Sequence, residues 1–237
     1  MTPTTPQQVD VLICGSGSAG VCAATWLSRY GIRCKILEKR QGPLVNGQAD
    51  GVQCRTVEVF ESFGLSEQLL KEGYHVLEVA FWSPDGKGGI HRTNRTADTA
   101  PGLSHQPHLI LNQARINGLL IEAMQRFNGQ EIDYGYEVRS LQIDSAAVAD
   151  PEAYCVTVTA DKGGIEEVFQ AKYLLVSSSN GRRQIIVLTE QACDGAHSVI
   201  RKALGFNMVG DSSDAVWGVM DVYPRTNFPD MYLALSS

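Results

Sequence analysis

The sequence predicts an α/β fold in which helices pack on a largely parallel sheet, a three-layer Rossmann-like arrangement. Three observations carry that expectation. A short apolar run, Val9 to Cys14, leads directly into the glycine turn Gly15-Ser16-Gly17-Ser18-Ala19-Gly20. A segment with apolar residues at helical spacing, VCAATWLSRYG, follows the turn. A second apolar strand, Arg33 to Leu37, then closes on Glu38. Strand, turn, helix and strand in that order make a parallel βαβ unit.

Each element has a physical reason. The nearly continuous apolar character of Val9 to Cys14 suits a strand buried on both faces. Gly15 permits the tight turn, Gly17 lets a pyrophosphate approach the backbone, and Gly20 lets the helix lie close on the sheet. Ser16 and Ala19 complete the turn and belong to the same cofactor-binding set. The helix begins with unpaired N–H groups and a positive dipole end, which suit phosphate. Gly31 ends the helix as a capping glycine would. Glu38 stands 18 residues after Gly20, where a carboxylate accepts hydrogen bonds from ribose hydroxyls, and Lys39 follows it. An acidic ribose contact disfavours a 2′-phosphate, leaving NAD or FAD, and the turn alone does not choose between them.

Composition narrows the function classes. The chain has 237 residues, 43% hydrophobic and 19% charged, which suits a globular protein with an ample core. A net charge of −6 argues against nucleic acid, whose phosphates need clustered Lys and Arg. No apolar run is long enough to span a bilayer, so no membrane partner is expected. The start, MTPTTPQQ, has neither a charged n-region nor an apolar h-region, so no secretion signal is expected. Cys14, Cys22, Cys34, Cys54, Cys155 and Cys193 form no CxxC pair, which favours free thiols and a cytoplasmic location over disulfides or zinc. His105 and His108 stand apart from thiol and carboxylate partners in sequence, and read as ordinary strand or loop residues rather than metal ligands.

Further motifs carry a resemblance. NGQADGVQCRTVE, from Asn46, is a polar glycine-punctuated loop entering the helix FESFGLSEQLLKEG. HLILNQARINGLLIEAM, ACDGAHSVIRKALGF and DAVWGVMDVYPRTNFPD follow in order. Together these resemble the FAD-dependent aromatic hydroxylases of the phenol 2-monooxygenase and 3-hydroxybenzoate hydroxylase branch. The resemblance implies a GR2-type FAD-binding domain with a β-rich substrate domain. It also implies hydroxylation of a phenol with O2 and NAD(P)H through a flavin C4a-hydroperoxide, and a homodimer for the full-length family. By the same resemblance Gly15, Gly17, Gly20 and Glu38 form the first FAD fingerprint, and Gln48 and Gln113 contact the cofactor. Asp194 and Gly195 lie in the second fingerprint, and Asp50 is the active-site carboxylate that assists phenol deprotonation. Asp50 has a second reading as a turn or helix cap. Arg55 reads equally as a phosphate contact or a surface ion pair.

The chain departs from the family between AKYLL and ACDGAHS. The 16 residues Val176 to Gln191 stand where the family runs almost directly from strand to fingerprint. Val-Ser can be encoded by the intron donor GTAAGT, Leu188-Thr189 can carry a branch point, and Gln191 can be the acceptor CAG. A retained intron and a genuine surface loop are the two readings. The ending FPDMYLALSS, where the family typically continues FPDIR, admits a similar explanation. The expected organisation is residues 1–77, 108–142 and 170–205 as a discontinuous FAD-binding domain, and 78–107 and 206–237 as an incomplete substrate domain. A catalytically inactive, FAD-binding fragment is the alternative to a working hydroxylase.

Overall fold

The computed structural model describes residues 6–47, 49–176, 190–192, 225, 228 and 233–235. The chain divides into two compact units: Met1–Asp50 with Asn112–Asn207, and Gly51–Leu111 with Met208–Ser237. The first division between the units falls after Asp50. The cause is strand pairing, since short strands after residue 50 build a sheet of their own.

In the first unit, β1 (Gln7–Cys14) lies parallel to both β2 (Cys34–Glu38) and β11 (Ile165–Val176). β8 (Asp133–Tyr134) extends the parallel part beyond β2. On the other side β9 (Tyr136–Ile143) and β10 (Val156–Lys162) add antiparallel strands, giving the order β8-β2-β1-β11-β10-β9. The stretch from Val138 to Val168 belongs to the main sheet, because β10 pairs with β9 and with the first half of β11. β12 (Glu190–Ala192) runs parallel to the end of β11, with Leu175 opposite Gln191.

The apolar run of β1 divides by the strand period of two. Val11 and Ile13 pack with Ala24, Ile36 and Met124 beneath the helices α1 (Ser18–Arg29) and α4 (Gln113–Asn128). Leu12 and Cys14 pack on the opposite face with Leu37, Tyr136, Val156, Val158 and Phe169. From Val11 to Cys14 both faces are covered, which is why that half of the strand is wholly apolar, whereas the first half, with Asp10, is largely exposed. Thr25 fastens the two helices by donating its hydroxyl to the carbonyls of Val21 and Leu120. Gly31, at φ +73°, follows the last turn of α1 in the left-handed conformation that glycine adopts without strain.

In the second unit, β3 (Gly51–Val52), β7 (His108–Ile110) and β4 (Tyr74–Val76) form an antiparallel sheet with β7 central. The helices α2 (Cys54–Ser62) and α3 (Ser66–Glu72) supply Val57, Phe60 and Leu69 to its core. The hairpin of β5 (Glu78–Pro84) and β6 (Ile90–Ala97), with β13 (Leu233–Leu235) parallel to β5, makes the third sheet. Trp217 to Tyr223, within the motif DAVWGVMDVYPRTNFPD, lies outside the described residues.

Candidate functional site

The site begins where β1 ends. Gly15, at φ +98°, reverses the chain and donates its N–H to the Leu37 carbonyl at 2.8 Å, tying the turn to the end of β2. Ser16 is buried and turns inward. Its N–H and its hydroxyl both donate to Glu38 Oε2, at 2.7 and 2.8 Å. Gly17 caps α1 with extended backbone and no side chain, leaving the first N–H groups of the helix without a side-chain acceptor. A Cβ placed at Gly17 would meet nothing within 4 Å, so the space over the turn is open. Gly20 is buried on the inner face of α1, whereas Ala19 is exposed.

Glu38 is the electrostatic centre of the turn, with a side chain only 7% exposed. Burial pushes its carboxyl upward, but the N–H groups of Arg40 and Ser16, the Ser16 hydroxyl and the Arg40 guanidinium outweigh burial. The carboxyl is held below the ordinary glutamate range, so Glu38 is a buried anion with its donors fixed around it. Lys39 is exposed, and Arg40 is the cation that reaches Glu38, at 3.0 Å.

Gln113 arrives from α4. The helix is capped by Asn112, whose side chain accepts from the Ala114 N–H at 2.9 Å. Gln113 Nε2 donates to Ser18 Oγ at 3.1 Å, and that hydroxyl donates to Asn117 Oδ1 at 2.8 Å. The loop before Asp50 lies against the same helix start, since the Gln113 N–H donates to the Ala49 carbonyl at 3.2 Å. A Cβ at Gly47 would fall 2.5 Å from Gln113 Cβ, so only glycine allows this approach. Asp50 is exposed at the end of that loop. Gln48, Asp194 and Gly195 lie outside the described residues.

The first unit thus gathers the Gly15–Gly20 turn, Glu38, Gln113 and the loop leading to Asp50. Arg55 belongs to the second unit, where its side chain is 80% exposed and pairs with Glu58. Sequence reasoning passed over Arg40, Ser18 and Asn117. Asn117 was findable, because it stands one helical turn after Gln113 and so shares its face. It also passed over a pair in the second unit. His108 Nδ1 lies 3.1 Å from Asp98 Oδ1, and His108 Nε2 is buried without a partner. A ring whose Nδ1–H faces a carboxylate presents Nε2 as an acceptor in its neutral form. Among the described residues no group of His, Cys, Asp and Glu could hold a metal ion. No described helix is long and apolar enough to cross a membrane.

The geometry suits a dinucleotide. An open backbone over a helix N-terminus fits pyrophosphate, and a buried carboxylate at the end of the second strand fits ribose. Comparison with known proteins names the nucleotide. Residues 8–234 match the model of a family described as FAD binding domain. An FAD-dependent monooxygenase of Aspergillus terreus, terD, is 57% identical over 94% of this chain and 34% of its own length. The 3-hydroxybenzoate 4-monooxygenase of Comamonas testosteroni is 41% identical over 97% of this chain and 34% of its own. The chain therefore spans about a third of the length of these relatives. The flavin-dependent monooxygenase PieE, solved with FAD and substrate, shares the fold at TM-score 0.68 and 24% identity, covering 87% of this chain and 34% of that one. The buried Glu38, the open glycine turn and these matches together show that the chain belongs to the FAD-binding domain family of flavin-dependent monooxygenases.

Proposed function

We propose that the protein to which this chain belongs hydroxylates a phenolic aromatic substrate with FAD, O2 and NAD(P)H. The observation that carries this reading is the loop Asn46 to Asp50. Its Ala49 carbonyl accepts from the N–H of Gln113 at the start of α4, and it ends in the exposed carboxylate of Asp50. The relatives support it, being named as FAD-dependent and 3-hydroxybenzoate monooxygenases.

FAD, when bound, supplies the redox and oxygen-activating chemistry. The residues of this chain bind and orient it. The Gly15–Gly20 turn and the start of α1 hold pyrophosphate, Glu38 holds the adenosine ribose, and Gln113 holds the flavin nucleotide. Asp50 acts on the substrate. Oxygen transfer to an aromatic ring is electrophilic, so a phenolate reacts better than a phenol, and Asp50 Oδ accepts the hydrogen bond that favours loss of the phenolic proton. NAD(P)H enters as a transient reductant, as the resemblance to the aromatic hydroxylases implies.

A second reading is that these 237 residues alone bind FAD without turnover, which the one-third coverage of the relatives favours. Two assays separate them. The first reading predicts that the FAD-loaded chain oxidises NAD(P)H faster when 3-hydroxybenzoate or phenol is added. It also predicts that Asp50→Ala lowers hydroxylated product by about 10²-fold or more while flavin stays bound. Bound flavin without phenol-stimulated oxidation establishes the second reading.

A further inference from the structure

We propose that Arg40 is a positioning residue of the nucleotide site, locking the glycine turn to the Glu38 carboxylate so that the two form one preset cradle for the adenosine half of FAD. The proposal deepens the FAD reading and rests on it.

The geometry is specific. Arg40 Nη2 donates to the Ser16 carbonyl at 3.1 Å, lies 2.9 Å from Ser16 Oγ, and donates to Glu38 Oε2 at 3.0 Å. The Arg40 N–H donates separately to Glu38 Oε1 at 2.9 Å. One residue therefore reaches both carboxylate oxygens and the backbone of the turn. Its own backbone is anchored in return, since Gly135 donates its N–H to the Arg40 carbonyl at 2.9 Å, from a φ of +83°.

The bonds are unevenly shared between the two oxygens. Oε2 takes the Ser16 N–H, the Ser16 hydroxyl and the guanidinium, whereas among the described residues Oε1 takes only the Arg40 N–H. A carboxylate offers about four lone-pair sites, so Oε1 is the oxygen with capacity for a ribose hydroxyl. By saturating Oε2, Arg40 and Ser16 decide which oxygen faces the ligand. Among the described residues, the arrangement leaves Arg40 Nε buried without a partner. Burying an unpaired donor is unfavourable, which a residue kept for stability alone does not explain.

The other charges near Glu38 do not take over this task. Tyr134 stands opposite Glu38 in the strand register, its hydroxyl held above the ordinary range by burial, with the Arg40 charge lowering it and the Glu38 charge raising it. Lys35 is engaged with Asp133 at 2.8 Å. Lys39 is exposed. Arg40 is the cation that contacts Glu38.

The test is titration of the whole chain with FAD and, separately, with ADP, from pH 4 to 8, for the wild type, Arg40→Ala, Arg40→Gln and Arg40→Lys. Arg40→Ala should weaken both ligands by about ten- to a hundredfold, as for loss of charge-assisted hydrogen bonds. Its affinity should also begin to fall at a higher pH on acidification, because Glu38 loses the cation that favours its charged form. Arg40→Lys should keep the wild-type pH limb and recover part of the affinity. A role in folding alone would weaken binding equally at every pH, and that result would overturn the proposal. So would Arg40→Ala binding within about twofold of wild type throughout. Should Arg40→Ala not fold, the Gln and Lys variants give the same comparison of a neutral with a cationic residue. A folded wild-type chain that takes up no FAD would overturn the cofactor reading itself, and the proposal with it.

Discussion

Replacing Gly47 by alanine puts one methyl group into the tightest approach at the site. The new Cβ would lie 2.5 Å from Gln113 Cβ, 2.9 Å from its backbone N and 3.1 Å from its Cα. Two of those atoms are backbone, so no rotamer change relieves the clash. Gly47 has no positive φ, and alanine can adopt its backbone, which makes close approach the whole effect. The loop must move off α4, at about 1–3 kcal/mol for overpacking. The bond from the Gln113 N–H to Ala49 O, about 1 kcal/mol, is lost with it. For a chain of this size the sum lowers the melting temperature by roughly 5–10 °C. Thermal unfolding followed by circular dichroism reads the shift, with Gly42→Ala as control, since a Cβ there meets nothing within 4 Å. FAD affinity should fall in the same variant because Gln113 shifts. A Gly47→Ala chain melting within about 1 °C of its parent and binding FAD equally well would refute this account of the loop.

Three other predictions bear on the site. Gly17→Ala should change the stability of the FAD-free chain by less than about 1 kcal/mol yet sharply weaken FAD binding, because its Cβ enters open space that pyrophosphate would fill; fluorescence titration beside thermal unfolding separates the two effects. The Glu38 carboxyl is held below its ordinary value of 4.5, so its stabilisation is complete above that value and lost as pH falls through the depressed one. Glu38→Gln should accordingly flatten the acid side of the stability–pH curve, and an unchanged curve would mean that the anion is not held as described. Excising Val176 to Gln191, which joins Leu175 to Ala192, should give a folded chain that binds FAD at least as tightly as the parent if the stretch is a retained intron; failure of that variant to fold would mark the stretch as an integral loop.

What could be read in the sequence, and what could not, follows from the range of the interactions. The first βαβ unit was legible because its signals are local. An apolar run predicted Val9 to Cys14 and the strand is Gln7–Cys14, while Glu38 closes β2 as expected. The glycine turn showed its use at Gly15 and Gly17, where a positive φ and an open face are needed. The segment 78–107, read as part of a β-rich substrate domain, contains one hairpin, of Glu78–Pro84 and Ile90–Ala97. The division after Asp50 has no local signal, because β3 and β4 are too short to announce their pairing with β7. Nor has the choice of Arg40 over Lys39 as the partner of Glu38, since adjacent residues leaving a strand point to opposite sides. The contact of His108 with Asp98 depends on where the loop between β6 and β7 returns. Ser18 and Asn117 meet only because α1 and α4 lie side by side.

Whether the glycine turn and Glu38 hold a flavin nucleotide is decided by titrating the purified chain with FAD, read by flavin fluorescence and by a visible spectrum retained through gel filtration. The account predicts saturable, stoichiometric binding that is weakened by Gly17→Ala and is not displaced by NAD. A well-folded chain that leaves FAD free, or prefers NAD, would contradict it.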